Sequence, residues 1–204
     1  MLKVSGVFRI EVMDPFPKLP KGDRVIILCN HHSLFDPPLW ALVSPFRRPY
    51  TPVRFIAKEA FFKNPFANFA LRYIGGSLPA FRLGNRPISI LTEKWVAAME
   101  KGHALVVFPE GEITTSASIK EFKPGAPYVA MRMGAWVVPI ALAGNLGTKG
   151  IRGRTYTYAI GEPIWVSKSE DCKNPDKVRS LGRVLRAAMA QQQERLCDAG
   201  KGNA

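Results

Sequence analysis

A chain of 204 residues that is 47% hydrophobic and 22% charged can bury a substantial core and does not have the composition of a disordered polypeptide. Its 29 basic and 16 acidic residues leave a net charge of +13, which implies an anionic partner: nucleic acid, a phospholipid surface or an acidic substrate. The basic residues are scattered, from Arg47 and Arg48 through Arg86, Lys120 and Lys123 to Arg154, so a polybasic tail is excluded.

Residues 3–13 alternate apolar and polar (Val4, Val7, Phe8, Ile10, Val12) and predict a first strand ending at Asp14-Pro15. Pro15, Pro17 and Pro20 make an extended connector to a turn at Lys21-Gly22-Asp23. The apolar run Val25-Ile26-Ile27-Leu28-Cys29 predicts a buried strand, followed by a polar turn and a short apolar helix near 37–44. A loop from Pro45 to Pro52 leads to a short strand over 54–57. Residues 58–74, rich in Phe and edged with Lys and Arg, predict a pair of short helices broken at Pro65. Core packing is the commoner use of such an aromatic stripe; a lipid-contacting interfacial element is the other, and both fit.

Gly75-Gly76 predicts a turn, and residues 77–82 a strand running into a loop that carries Arg82. Pro87 opens a helix through about Lys101, with Ile88, Leu91, Trp95, Ala98 and Met99 at helical spacing and Gly102 as its stop. A buried strand over 104–108 enters a tight turn, Pro109-Glu110-Gly111. A helix over 124–133, strands over 136–142 and 155–160, and a basic helix from about 175 to 197 complete the chain. Strands and helices alternate without a linker or repeat. The expectation is therefore one α/β domain over 1–204, a sandwich with a mainly parallel mixed sheet flanked by helices.

Cys29, Cys172 and Cys197 form no CxxC pair and fit reduced thiols in a cytosolic compartment. Met1-Leu2-Lys3-Val4 carries no signal-peptide apolar region, and the longest apolar stretch, about 134–144, is far short of the roughly 20 residues that span a bilayer. The expected placement is peripheral, on the cytoplasmic face of a membrane, without a spanning segment.

Chemistry concentrates at the exits of two buried strands, where open α/β sheets bind ligands. At the first, Asn30-His31-His32-Ser33-Leu34-Phe35-Asp36 sets an imidazole and a carboxylate on one strand-to-helix turn. A carboxylate on one ring nitrogen fixes the tautomer, and the other nitrogen can then activate a hydroxyl that the substrate supplies. Two other readings are open: Asp36 before Pro37 as a helix N-cap, and His31, His32 and Asp36 as metal ligands. At the second exit, Gly111 lets a ligand approach the backbone and Glu110 offers a carboxylate to a substrate hydroxyl or to a basic side chain. An ordinary turn with a salt-bridged Glu110 fits equally, as does a plain surface cation at Arg82.

Taken together, these residues resemble the glycerolipid acyltransferases typified by the 1-acylglycerol-3-phosphate acyltransferases. The first family motif, asparagine-histidine, four residues, aspartate, stands as Asn30-His31 to Asp36; His31 has the spacing and His32 does not. Gly76 to Phe81-Arg82 matches the second motif, Phe108-Pro109-Glu110-Gly111 the third, and Val137-Val138-Pro139-Ile140 the fourth. Lys58 and Phe122-Lys123-Pro124-Gly125 are similar to further family positions. The agreement spans roughly residues 20–165. One departure is local: where phosphate-acceptor members carry Thr-Arg-Ser after the third motif, this chain has Glu112-Ile113-Thr114, a variant that looks more like members reacylating 2-acylglycerophosphoethanolamine.

The resemblance implies an O-acyltransferase of phospholipid biosynthesis or remodelling. His31 would be the general base on the free hydroxyl of a lysophospholipid, either 1-acylglycerol-3-phosphate or a related lysolipid, with Asp36 orienting it. Backbone N–H groups at the helix start after Asp36 would stabilise the oxyanion. Arg82, Glu110, Gly111 and Lys58 would hold the acceptor. The donor would be acyl-CoA or acyl-carrier-protein as co-substrate, with no other cofactor and no metal. The expected partners are an anionic phospholipid membrane surface, the lysophospholipid and an acyl carrier protein, and no nucleic acid. The competing class, a non-catalytic basic module on nucleic acid, lacks a helix-turn-helix or RNA-binding signature. An acyltransferase fold without activity is a third reading, which the intact His31/Asp36 pair opposes.

Overall fold

The computed structural model describes residues 2–4, 8–20, 22–33, 36–37, 52–69, 71, 76–80, 84, 86–116, 118–144 and 153–201. Its strands are β1 (Leu2–Val4), β2 (Phe8–Val12), β3 (Val25–Cys29), β4 (Val53–Lys58), β5 (Leu78–Ala80), β6 (Ala104–Val107), β7 (Ala135–Ala143), β8 (Arg154–Ile160) and β9 (Ile164–Val166). Its α-helices are α1 (Pro65–Phe69), α2 (Ile88–Leu91), α3 (Glu93–Glu100), α4 (Gly125–Met133) and α5 (Pro175–Lys201), with 3₁₀ turns at Glu59–Lys63 and Glu170–Lys173. The described strands join in one sheet of order β1-β2-β8-β7-β3-β6-β4-β5, with β9 also on β7. β3 runs parallel to both β6 and β7, β4 parallel to β6 and β5, and β2 parallel to β8; β1, β8 and β9 each form an antiparallel pair. The mostly parallel mixed sheet flanked by helices is the architecture expected.

Both faces of the central strands are apolar, as parallel strands require. Ile26 and Leu28 of β3, with Leu105 and Val107 of β6, face a core shared with α3, α4 and α5. Val25, Ile27 and Cys29, with Val106 and Phe108, face a second core that includes Phe16 and Leu19 of the proline connector. α5 buries Val178, Leu185, Met189, Gln192, Gln193 and Leu196, a stripe at helical spacing, and turns its charged residues outward.

Several local expectations differ from the fold. The single strand expected over 3–13 is two, β1 and β2, paired antiparallel with Leu2 opposite Ile10; residues 5–7 between them lie outside the described residues, and in the sequence they include Ser5-Gly6, a pair of turn-favouring residues. The helix expected from Pro87 to Lys101 divides at Thr92, whose hydroxyl donates back to the Ile88 carbonyl at 2.8 Å. A Thr side chain competing for a backbone carbonyl is a recognised way to break a helix. β9 and the 3₁₀ turn at Glu170 were not expected, being too short for periodicity to register. α5 extends to Lys201, beyond the expected end at 197. Of the helix expected near 37–44, Asp36 and Pro37 are helical and the rest lies outside the described residues. Of the Phe-rich segment, residues 70 and 72–75 lie outside the described residues; Phe62 is half-buried, while Phe61, Phe66 and Phe69 are 46%, 88% and 60% exposed, so core packing does not account for those three.

Candidate active site

β3 and β6 are parallel neighbours, with Leu28 opposite Val107, so the turns at their ends leave the same edge of the sheet side by side. In the first turn the Asp36 carboxylate, 0% exposed, points back along the chain. Its Oδ2 accepts from His31 Nδ1 at 2.9 Å, from the His32 backbone N–H at 2.7 Å and from the Ser33 N–H at 2.9 Å. A carboxylate accepts, so the His31 proton sits on Nδ1 and the lone pair on Nε2. The His31 side chain is 16% exposed and stacks on the Phe108 ring, at 4.4 Å between centroids and 26° between planes. Carboxylate and ring together fix both rotation and tautomer. An imidazole held this way can take a proton at Nε2 and stabilise the resulting cation against Asp36.

The second turn is tied to the first through Glu110. Pro109 and Gly111 close it, with the Gly111 N–H donating to the Phe108 carbonyl at 3.1 Å. Gly111 has φ +73°, and a Cβ there would meet Lys123 Cγ at 3.0 Å, so glycine serves both the turn and the lysine lying over it. Glu110 is 1% exposed, and its oxygens accept from the His31 N–H at 3.4 Å and the Lys120 N–H at 3.0 Å. Its carboxylate thus faces backbone amides of two loops, where the sequence led us to expect a substrate hydroxyl or a cation. A buried carboxylate is tolerated there because charge-assisted bonds from N–H groups offset its desolvation.

Behind the turn lies a polar cluster. His32 Nδ1 is 2.9 Å from the Thr114 carbonyl, and the Thr114 N–H donates to the His31 carbonyl at 2.8 Å. The Asn30 amide NH₂ contacts His32 Nε2 at 2.7 Å, the Leu142 carbonyl at 2.9 Å and Gln193 Oε1 at 3.2 Å, while its oxygen accepts from the Leu142 N–H at 2.7 Å. Both ring nitrogens of His32 are therefore engaged by protein, which removes His32 from the three-ligand reading with His31 and Asp36. His103 lies before β6, away from this edge; Arg54 donates to its Nδ1 at 2.9 Å, and burial followed by the Arg54 charge holds its pKa below the usual imidazole value.

Two charges set the field. Burial, then the negative charges of Asp36 and Glu110, push the Cys29 thiol far up, so this cysteine stays protonated and inert. Outside, Lys120 Nζ pairs with Glu112 at 2.9 Å and, with Lys123 and Lys58 adding their charge, holds the Glu112 carboxyl below its usual range. These three lysines form a cationic rim beside Gly111.

The fold thus gathers His31, Asp36, Glu110 and Gly111, and brings Lys58 to the rim at the end of β4. Arg82 and Phe81 lie outside the described residues, as do the N–H groups expected beyond Asp36 and Pro37. Sequence reasoning missed Thr114 and Gln193. Gln193 comes from α5, 163 positions from Asn30, and only its place on the buried stripe of a long helix could have pointed to it.

A family model described as Acyltransferase matches residues 9–143. The chain is similar to the chloroplastic 1-acyl-sn-glycerol-3-phosphate acyltransferase of Arabidopsis thaliana, 29% identical over 176 residues covering 83% of this chain and 47% of the plant protein. It is 31% identical over 149 residues to a probable 1-acyl-sn-glycerol-3-phosphate acyltransferase of Mycoplasma genitalium, covering 72% of this chain and 53% of that one. The chain therefore spans about half the length of these curated relatives. Its fold matches the crystal structure of a 1-acyl-sn-glycerophosphate acyltransferase of Thermotoga maritima with a TM-score of 0.62, at 24% identity, over 91% of this chain and 71% of that one.

Proposed function

Since the chain belongs to the acyltransferase family, we propose that it moves a fatty acyl group from an acyl thioester to the free hydroxyl of a lysophospholipid, with 1-acylglycerol-3-phosphate as acceptor. The observation that carries this reading is the His31–Asp36 pair, 2.9 Å apart at the carboxyl edge of the sheet, which would leave Nε2 for the substrate hydroxyl. In the proposed step, His31 Nε2 takes the hydroxyl proton as the oxygen attacks the thioester carbonyl. The tetrahedral oxyanion then collapses to the ester, the C–S bond breaks, and the departing thiolate takes the proton back from the imidazolium. The acceptor phosphate would lie on the rim of Lys58, Lys120 and Lys123, and Glu110 would act by holding the two loops together.

That two relatives are a 1-acyl-sn-glycerol-3-phosphate acyltransferase and a probable one supports this acceptor. A second reading, reacylation of a lysophosphatidylethanolamine, is favoured by one observation: Ile113, 42% exposed, stands where phosphate-acceptor members carry arginine. The donor would be acyl-CoA or acyl-carrier-protein. No helix among the described residues is long and apolar enough to cross a membrane. The net charge of +13 suits an anionic bilayer, and the proposed place of action is the cytoplasmic membrane surface. The test is transfer from a labelled acyl thioester to a panel of lysolipids. Turnover of lysophosphatidate supports the reading, turnover of lysophosphatidylethanolamine alone replaces the acceptor, and activity that survives His31→Ala sinks the mechanism.

A further inference from the structure

β4 is parallel to β6, with Val53 opposite Ala104, so its carboxyl end at Lys58 lies on the edge where β3 and β6 release the His31 and Glu110 turns. The Phe-rich element leaves β4 at that edge, as the 3₁₀ turn Glu59–Lys63 and then α1. The 3₁₀ turn buries none of its residues. Phe61, Phe66 and Phe69 are 46%, 88% and 60% exposed, and Phe66 stands second in α1, where Asn64 Oδ1 accepts its N–H at 3.0 Å. An aromatic side chain held this far into water beside a site mouth has no role in core packing. Within residues 58–69 the exposed charges are cationic: Lys58 before the turn and Lys63 at its end, with Glu59 half-buried.

We propose that residues 58–69 are the lipid-docking surface of this protein. Phe66 and Phe69 enter the acyl boundary of an anionic phospholipid bilayer with Phe61 beside them, and Lys58 and Lys63 sit among the headgroups. The proposal rests on the acyltransferase reading only for its purpose: seating the carboxyl edge of the sheet against the bilayer lets a lysolipid present its hydroxyl to His31 while its chain stays in the membrane. An anionic surface is the occupant that the flanking lysines and the net charge of +13 select; a second copy of a chain with this charge would meet repulsion.

The experiment separates docking from chemistry. Co-sedimentation with vesicles of phosphatidylglycerol and phosphatidylcholine is measured for the wild type, for Phe66→Ser/Phe69→Ser and for His31→Ala. We expect wild type and His31→Ala to bind alike, the double serine variant to partition at least tenfold less, and wild-type binding to weaken with salt. Phe66→Trp should gain fluorescence that brominated acyl chains quench. If acyl transfer is detected, the serine variant should keep wild-type turnover on a monomeric short-chain lysolipid and lose it on vesicles. Equal vesicle binding by the serine variant, Phe66→Trp fluorescence that brominated chains leave unquenched, no wild-type binding to anionic vesicles, or a wild-type dimer that the serine variant dissolves would each overturn the proposal. Absence of acyl transfer with these binding results intact would refute the enzymatic reading and leave the docking surface standing.

Discussion

His32 Nδ1 lies 2.9 Å from the Thr114 carbonyl oxygen, and that contact assigns the ring a single state. A carbonyl only accepts, so Nδ1 carries the proton and Nε2 accepts from the Asn30 amide at 2.7 Å. His32 is thus a neutral, buried tie between the two loops, next to a partly exposed histidine of different role. His32→Ala removes this tie and leaves Asn30 and Thr114 short of a partner. We expect a loss of about 1–3 kcal/mol in stability, read by denaturant unfolding. In the proposed reaction kcat should fall while the acceptor KM changes little, because the tie aligns the His31 turn and does not touch the acceptor.

The pairing of His31 with Asp36 predicts non-additive kinetics. His31→Ala should lower kcat by about 10²–10⁴-fold, the range for a positioned general base. Asp36→Asn should lower it by a similar factor, because an amide facing Nδ1 no longer enforces the Nδ1–H tautomer. The double variant should be scarcely slower than His31→Ala, since both changes disable one device. Steady-state kinetics on the four proteins checks this; multiplicative losses would separate the two residues.

Ile113 predicts a shift in acceptor preference. Its side chain is 42% exposed, so arginine fits there without disturbing a core. Ile113→Arg should change stability by less than about 0.5 kcal/mol and raise kcat/KM for lysophosphatidate relative to lysophosphatidylethanolamine. Competition between the two labelled acceptors in one reaction reads the ratio directly. An unchanged ratio would mean that the three rim lysines already saturate the phosphate.

Asp14 predicts an acid-dependent stability increment. A hydrogen bond from Arg195, at 2.8 Å, holds its carboxyl below the usual range, and the Ile160 N–H adds to this at 3.1 Å. A depressed carboxylate stabilises the fold above its unfolded pKa and loses that contribution as pH falls through the folded value. The pair is surface-exposed, so Asp14→Asn should cost only about 0.2–1 kcal/mol at pH 7. The gap in melting temperature between variant and wild type should close below about pH 4.

The legibility of this chain followed physical periodicity. β3 and β6 were readable because a strand buried on both faces is a continuous apolar run, as in Val25–Cys29 and Ala104–Val107. α5 was readable as a helix because 27 residues give many turns to average over, although its buried stripe was not. β9 was not, since three residues carry no period. The division at Thr92 was hidden because it arises from one hydroxyl choosing one carbonyl. At the site, His31 and Asp36 share a turn, so spacing alone put them together. Glu110 was found but its direction was not, because orientation toward the His31 and Lys120 amides depends on how two distant loops meet. Phe66 and Phe69 show the opposite limit: hydrophobicity is in the sequence, and which side of the molecule it faces is not.

β2 lies between β1 and β8, with Ile10 opposite Tyr156, and Arg195 of α5 closes over Asp14 from 181 positions away. During synthesis the β2 segment therefore waits for nearly the whole described chain before its parallel partner exists. Until then the apolar residues that will face Leu142 and Tyr156 are open to other contacts, which favours chaperone capture or self-association of the nascent chain. Slow elongation across residues 13–153 would prolong that interval, whereas a pause after α5 would not, so the yield of native protein should depend on where translation slows.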